Sequence, residues 1–527
     1  MARFRESLRR GNAFVWLSGG LLALSVIMIG CLVLFIGARG LGYFWPQPIV
    51  QYDTAGGPVL GEESGREEAR GNDPERLQLR VANRDLYGQD FRWYKAEELS
   101  NRRIPSEALL IERLEYGAFI GRIQALREDG RALAEGPAAL GATLDRLGSA
   151  QSLKHRILAI EKGELSTLNR RLEDLRLERR SRPDAKDRLE AREKDLNARY
   201  GQVTAQLEDL RRQAQRVTVT LESVDGKRKD LPIGDLLRVV PVNSLGSFGK
   251  FKVYLSRLWE FVAEDPRESN TEGGIFPAIF GTVMMVMMMS LLVVPFGVIA
   301  ALFLREYARD GWLVRTTRVA VNNLAGVPSI VFGVFGLGFF IYTLGGSLDR
   351  LFFAERLPAP TYGTGGILWA SLTLALLTVP VVIVSTEEAL ASVPRSQREA
   401  SLALGATQWQ TLWNIVLPGA MPGILTGLIL AMARGAGEVA PLMLTGVVKL
   451  APSMPLDGTF PFLHLDRKFM HLGFHIYDVG FQSPNSEAAK PMVFMTALLL
   501  LAVVVVLNLA AIRLRRRLRA RLGGSTF

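Results

Sequence analysis

Sulfur chemistry is almost absent from this chain. One cysteine, Cys31, occurs in 527 residues, so no intramolecular disulfide is available and the redox compartment goes unreported. Histidine is nearly as scarce, at four. His471 and His475 stand four apart, but without an HExxH run or a nearby cysteine they read as part of an ordinary loop outside the membrane, not as a metal site. No GxxxxGK[S/T] run exists, and GPAALGAT (Gly136–Thr143) lacks the lysine that would reach nucleotide phosphates. The chain is therefore not expected to be an enzyme or to bind a cofactor.

Apart from Glu438, acidic residues are missing from six long apolar runs: Phe14–Ile36, Phe276–Leu304, Val319–Leu344, Ile367–Ser385, Met421–Val448 and Met492–Ile512. Each reaches or exceeds the roughly 18–20 residues that cross a bilayer as a helix. The net charge is +11, yet its placement argues for topology, not nucleic acid. Arginine clusters in MARFRESLRR before the first run, REYARDGWLVRTTR after the second, RSQR after the fourth and RLRRRLRAR after the sixth. In a six-span chain these fall on one face, which places both termini in the cytoplasm. The first run is too long for a cleaved signal and reads as an anchor. Four segments follow: a basic leader and first span over 1–44, a soluble extracytoplasmic insertion over 45–275, five spans over 276–512 and a basic tail over 513–527.

The insertion carries heptad spacing. Leu189, Leu196, Val203, Leu210 and Val217 recur every seven residues, with Tyr200, Leu207, Ala214 and Leu221 in the companion row. Leu158, Leu165 and Leu172 with Leu168 and Leu175 form a weaker upstream version. RSRPDAKD separates the two, and Pro183 would break a continuous helix. This predicts a coiled-coil hairpin over about 144–222. LQLRV, DFRWY and RVTVTLESVDGKRKDLPI, with an Asp225-Gly226 turn, predict a small β portion around it. The hairpin is either a solvated helix pair or a docking arm, and the residues do not choose.

Between the fourth and fifth runs lies TEEALASVPRSQREASLALGATQWQTLWNIVLPGA, which begins at Thr386. Leu402, Trp409 and Leu412 can share an apolar surface while Arg395, Arg398 and Glu399 face water. Gly405 permits a tight turn, and Pro418 closes the segment before re-entry at Met421. The spacing predicts a helix–turn–helix protruding over 387–420, or else an amphipathic helix resting on lipid.

Glu399-Ala400-Ser401, then Gly405, then Ile415-Val416-Leu417-Pro418 resembles the EAA…G…I.LP signature of binding-protein-dependent ABC-transporter permeases, with Ser401 as the one departure. ARGAGEVAPLMLTG (Ala433–Gly446), NNLAGVPSIVFG (Asn322–Gly333), LFLREYAR (Leu302–Arg309) and LLTVPVVIVSTEEAL (Leu376–Leu390) resemble the phosphate-specific, PstA-type branch of that family. The resemblance covers the first span and the region from about Phe276 onward, not the insertion. It implies a mainly α, six-span bundle of the type I ABC permease kind in a bacterial inner membrane. Partner ATPase subunits would hydrolyse ATP, a second homologous permease would complete the pathway, and an external binding protein would deliver phosphate. Glu399, Ala400, Gly405, Leu417 and Pro418 would form the coupling loop. The runner-up cargo is another tetrahedral oxyanion, sulfate or molybdate, and a more distant alternative is a membrane sensor or scaffold.

Two charges fall in the fifth run, Arg434 and Glu438, spaced i,i+4 on one expected helix face near mid-membrane. Charges there normally face protein or a water-filled path. They form either a self-neutralising structural pair or a site where Arg434 meets an oxyanion with two planar donors while Glu438 positions it and competes. Pro441 is expected to loosen the helix nearby. In the third run Pro328 removes a donor, making Asn323 and Ser329 path candidates against a plain proline kink.

Overall fold

The computed structural model describes residues 12–69, 74–181, 186–267, 270–483 and 486–523. The basic leader at 1–10 and the break expected at Pro183 lie outside the described residues. The chain divides into two compact units, Phe44–Gly274 and a second built from Met1–Tyr43 with Ile275–Phe527.

Long apolar stretches become helices in the second unit because only a helix satisfies every backbone group within its own segment in lipid. Among the described residues six helices are long and apolar enough to cross a bilayer: Phe14–Gly42, Phe276–Tyr307, Ser329–Phe352, Ile367–Ser392, Gln408–Gly437 and Ala489–Arg517. The fold is mainly α, with a small β portion carried by the other unit.

The second, fourth and fifth spans share one core, in which Met285, Met289, Val293, Leu374, Leu377, Ala431 and Met432 interlock. Small residues let their backbones approach. A Cβ on Gly297 would lie 2.6 Å from a Val382 methyl, and one on Gly423 would lie 2.4 Å from Ala389 Cβ. Buried hydroxyls bond inward to the preceding turn: Thr282 to Ala278 O, Ser290 to Val286 O and Thr373 to Trp369 O, each at 2.7 Å. No polar partner from lipid is then required. The first span runs against the sixth, where Gly40 meets the Met495 backbone and Phe35 sits edge-on to Phe494 at 5.8 Å.

Two spans, the third and the fifth, lie furthest from where the hydropathy places them. The third span starts at Ser329, not Val319, because Trp312–Leu324 forms its own amphipathic helix and ends before Pro328. Pro328 occupies the N-cap of the next helix, where no donor is needed, so it starts a span and does not kink one. The fifth span begins at Gln408, well before Met421, and ends at Gly437, well before Val448.

Between the fifth and sixth spans the chain folds back into the unit. Leu472 N donates to Thr282 Oγ1 at 2.9 Å, and a Cβ on Gly281 would lie 2.1 Å from Met470 O. Gly281→Ala must therefore push the second span off this segment, costing about 1–3 kcal/mol as overpacking does. Thermal unfolding in detergent should fall for Gly281→Ala and stay unchanged for Gly338→Ala, whose Cβ meets nothing within 4 Å. Equal melting of both variants would refute the contact.

The unit Phe44–Gly274 has two large antiparallel sheets and a two-stranded one that pairs Pro266–Arg267 with Glu272–Gly273. One large sheet runs in the order Phe91–Lys95, Arg76–Arg80, Gly57–Glu67, Ile49–Thr54, Ser100–Arg103. The other runs Arg228–Pro232, Val217–Glu222, Phe119–Glu128, Leu109–Arg113, Leu236–Val240, with Arg131–Glu135 also paired to Phe119–Glu128. Arg113 is buried beside them. It holds Asp85 through two bonds of 3.1 Å and donates to Gly117 O at 3.0 Å. Burial disfavours the Asp85 carboxylate, but the Arg113 guanidinium overrides that and leaves its pKa below the ordinary value.

A helical hairpin projects from this sheet pair. Pro137–Ala159 passes through a π turn, Ile160–Leu165, into Ser166–Ser181 and packs along Lys186–Arg216. Leu168, Leu172 and Leu175 face Leu189, Leu196 and Val203, while Ile157 faces Leu207 and Leu210. Ile157 takes the inward place expected for Leu158, since the widened π turn shifts the helical phase. The last heptad positions expected, Val217 and Leu221, belong to a strand. After the sheets, Ser247–Ala263 forms one further amphipathic helix.

Candidate functional site: an elbow and a charged helix end

The elbow is built from local stop and start signals. After the fourth span, Val393 and Pro394 are extended, and Pro394 caps the helix Arg395–Ala403. Gly405 ends that helix at φ +85°, a conformation that costs a residue without Cβ nothing. Its N–H donates to Leu402 O at 3.0 Å and the Ala406 N–H to Ser401 O at 3.2 Å, the paired closure of a Schellman end. Thr407 then opens the next helix with a capping box. Its hydroxyl accepts from Gln410 N at 3.2 Å, and its own N–H donates to Gln410 Oε1 at 2.8 Å.

Pro418 does not close the elbow. Gln408–Thr411, the π turn Leu412–Val416 and Leu417–Gly437 run on as the fifth span, with Leu417 and Pro418 half-buried inside it. The π turn sits where Pro418 removes a donor, so the chain bypasses the lost bond without breaking.

The elbow has an inner and an outer side. Leu412, Val416, Val393 and Leu390 join a core with Leu304 from the end of the second span. Leu402, Leu404, Trp409 and Trp413 remain exposed, Leu404 at 89%, and the two indoles stack at 5.7 Å. The surface expected to join Leu402, Trp409 and Leu412 is thus divided, because Leu412 is only 5% exposed. Glu399 and Ala400 are exposed.

Arg398 does not face water as its charge suggests. It pairs with Glu306 at 2.7 Å and donates to Leu390 O. Gln408 Nε2 donates to Glu306 O at 3.2 Å. The acidic residue of LREYAR therefore braces both halves of the elbow from the second span, a role sequence reading misses across 92 positions. Arg318 adds a second brace, to Glu387 at 3.4 Å and Leu304 O at 3.2 Å. With side-chain exposures of 22% and 11%, the Arg398–Glu306 pair is shielded enough to exceed a surface ion pair. Glu306→Gln should loosen Arg395–Ala403 by about 1.5–3 kcal/mol. Faster amide exchange in that helix is the expected readout, and unchanged protection would count against the brace.

The second feature lies at the other end of the same helix. Arg434 occupies the last turn of Leu417–Gly437, and Glu438 lies beyond it, extended, as the C-cap. The two are not on one continuous helix near mid-span. The helix starts earlier than hydropathy predicts and ends at Gly437, with a short helix Ala440–Thr445 after the break. Pro441 sits in the first turn of that helix, where its missing N–H is harmless. Arg434 Nε and Glu438 Oε1 are 3.8 Å apart, an ion pair longer than a hydrogen bond. Arg434 also complements the negative helix end. Its side chain is 34% exposed, and among the described residues no other acceptor binds its guanidinium.

Ser329 is half-buried at the start of the third span, and Asn323 is exposed on the preceding helix. Among the described residues neither makes a side-chain hydrogen bond to Arg434 or Glu438. The third span does approach the break: a Cβ on Gly333 would lie 2.7 Å from Pro441 Cα. His471 and His475, expected in an ordinary loop, are instead buried. His471 accepts from Gly473 N at 3.1 Å, and His475 Nδ1 lies 3.3 Å from Thr496 Oγ1. Burial pushes their pKa values down to about 3 and about 4, so both stay neutral.

Residues 293–520, which include the elbow and the charged helix end, match the family described as binding-protein-dependent transport system inner membrane component. The chain belongs to that family and is a multi-pass membrane protein. It is 36% identical over 268 residues to "Phosphate transport system permease protein PstA 1" of Mycobacterium tuberculosis, covering 51% of this chain and 79% of that protein. It is 31% identical over 259 residues to "Probable ABC transporter permease protein YqgI" of Bacillus subtilis, covering 48% and 81%. It is 34% identical over 197 residues to "Probable phosphate transport system permease protein PstA" of Methanocaldococcus jannaschii, covering 37% and 63%.

Proposed function

We propose that this chain is the permease subunit of an ATP-driven importer for inorganic phosphate, working in a bacterial inner membrane. Both termini and the elbow lie in the cytoplasm and residues 45–275 outside, the arrangement that the flanking arginines favour. The observation that carries this reading is one helix, Gln408–Gly437, with the elbow at its start and Arg434 in its last turn. At 30 residues it extends about 45 Å. A push on the elbow is felt at the charged end without an intervening joint.

Partner ATPase subunits bind and hydrolyse ATP. Glu399, Ala400 and the exposed residues around Gly405 enter a cleft on the motor, the way a helix docks in a groove. Leu417 and Pro418 carry the displacement into the span. An extracytoplasmic phosphate-binding protein delivers the anion, and a second homologous permease completes the pathway. Arg434 offers paired guanidinium donors to the oxyanion, Glu438 competes for the same donors so that the anion can leave, and Ser329 and Asn323 line the route. The chain itself binds no nucleotide and no cofactor. Phosphate is preferred to sulfate or molybdate because relatives from three organisms carry phosphate transport in their names.

The test is uptake of labelled phosphate by the assembled transporter in vesicles, with unlabelled competitors. Phosphate should compete, and excess sulfate should not. Competition by sulfate alone would change the cargo, and uptake independent of ATP would overturn the mechanism.

A further inference from the structure

The helix Ser247–Ala263 has two unlike faces. Arg257 and Phe261 point into their own unit, where Arg257 reaches Glu112 and the Phe44 carbonyl and the Phe261 ring packs at a tilt against Phe44, 5.4 Å between centroids. On the other side Phe248, Phe251, Leu255 and Trp259 are exposed at 85%, 52%, 54% and 71%. At about 100° per residue these four fall within an arc of roughly 80°. Lys252, also exposed, borders the stripe. Large apolar side chains in such a row on a soluble unit mark a surface that something covers.

The covalent chain indicates what covers it. The first membrane-length helix ends at Gly42. Phe44 and Trp45, two and three residues later, are the residues seated on this helix, Trp45 against Tyr254 at 5.9 Å. Three residues span at most about 10 Å, to which the Trp45–Tyr254 contact adds 5.9 Å between rings and two side-chain lengths, so the chain tethers the middle of the helix close to the end of the first membrane-length helix. Aromatic residues flanked by lysine suit that depth, with rings among the upper acyl chains and ammonium groups among the headgroups.

We infer that Ser247–Ala263 is an interfacial helix whose Phe248–Phe251–Leu255–Trp259 stripe is buried in the lipid surface. A second copy of the chain or a soluble protein would not need the stripe to lie at the membrane exit. This goes beyond the transport reading and does not depend on the cargo.

The test uses the full chain in phosphatidylcholine–phosphatidylglycerol vesicles. Cys31→Ser removes the native thiol, and a fluorophore is then placed at Leu255→Cys, at Trp259→Cys or, as control, at Glu208→Cys on the exposed hairpin surface. All three positions are exposed, so the substitutions spare the core. A lipid nitroxide high on the acyl chain should quench the first two probes severalfold more than the third, and aqueous iodide should show the reverse order. Iodide quenching equal to the control would overturn the assignment. Shielding from both quenchers would overturn it as well, by placing a protein on the stripe.

Discussion

Arg434→Ala is expected to lower phosphate uptake by on the order of tenfold to a hundredfold, the equivalent of about 1.5–3 kcal/mol for hydrogen bonds to a charged group, while membrane insertion and ATPase association persist. The side chain lies in the last turn of the fifth span and touches only Glu438 as a charged partner, at 3.8 Å. Its removal leaves a half-buried carboxylate without its cation but creates no large cavity, so the bundle should stand. Arg434→Lys keeps the charge and loses the planar donor pair, so it should fall between the wild type and alanine. Glu438→Gln should assemble normally and lose less uptake than Arg434→Ala. Unimpaired flux in Arg434→Ala would assign the pair to structure alone.

Gly405→Pro should abolish ATPase docking and, with it, ATP-dependent uptake. Proline is held near φ −65° and has no N–H, whereas Gly405 sits at φ +85° and donates to Leu402 O. The helix Arg395–Ala403 would therefore lose both bonds that close its end. Gly405→Ala keeps the donor and meets nothing within 4 Å, so it incurs only the left-handed penalty of about 1–2 kcal/mol. It should dock more weakly and still transport. Co-purification with the ATPase subunits reads the first effect and vesicle uptake the second. If Gly405→Pro docks like the wild type, the elbow is not the coupling element.

Much of this site is legible in one dimension because its signals are short-range. The Gly405 turn and the capping residues around Thr407 each act within a few positions. The errors arise where burial decides. Leu402 and Leu412 have the same side chain, yet one faces out and the other packs beside Leu304. Arg398 looks solvated until Glu306 is brought to it from the second span. Hydropathy starts the fifth span at Met421 because Gln408–Asn414 is partly polar, and helix geometry then carries the span through regardless.

The insertion is harder to read for a related reason. Phe119–Glu128 is buried on nearly every residue of its first half, so the alternation that announces a half-exposed strand is lost. The helical hairpin was readable because its apolar rows repeat at a fixed interval, but the π turn at Ile160–Leu165 moved one arm's phase.

Local chain chemistry accounts for six apolar helices, the arginine bias of their ends and the elbow's turn, since lipid solvation and backbone capping act on neighbouring residues. Close packing accounts for the rest. The Glu306 brace, the break before Glu438 and the burial of His471 and His475 depend on segments far apart in the chain meeting at contact distance, which no periodicity along the chain can express.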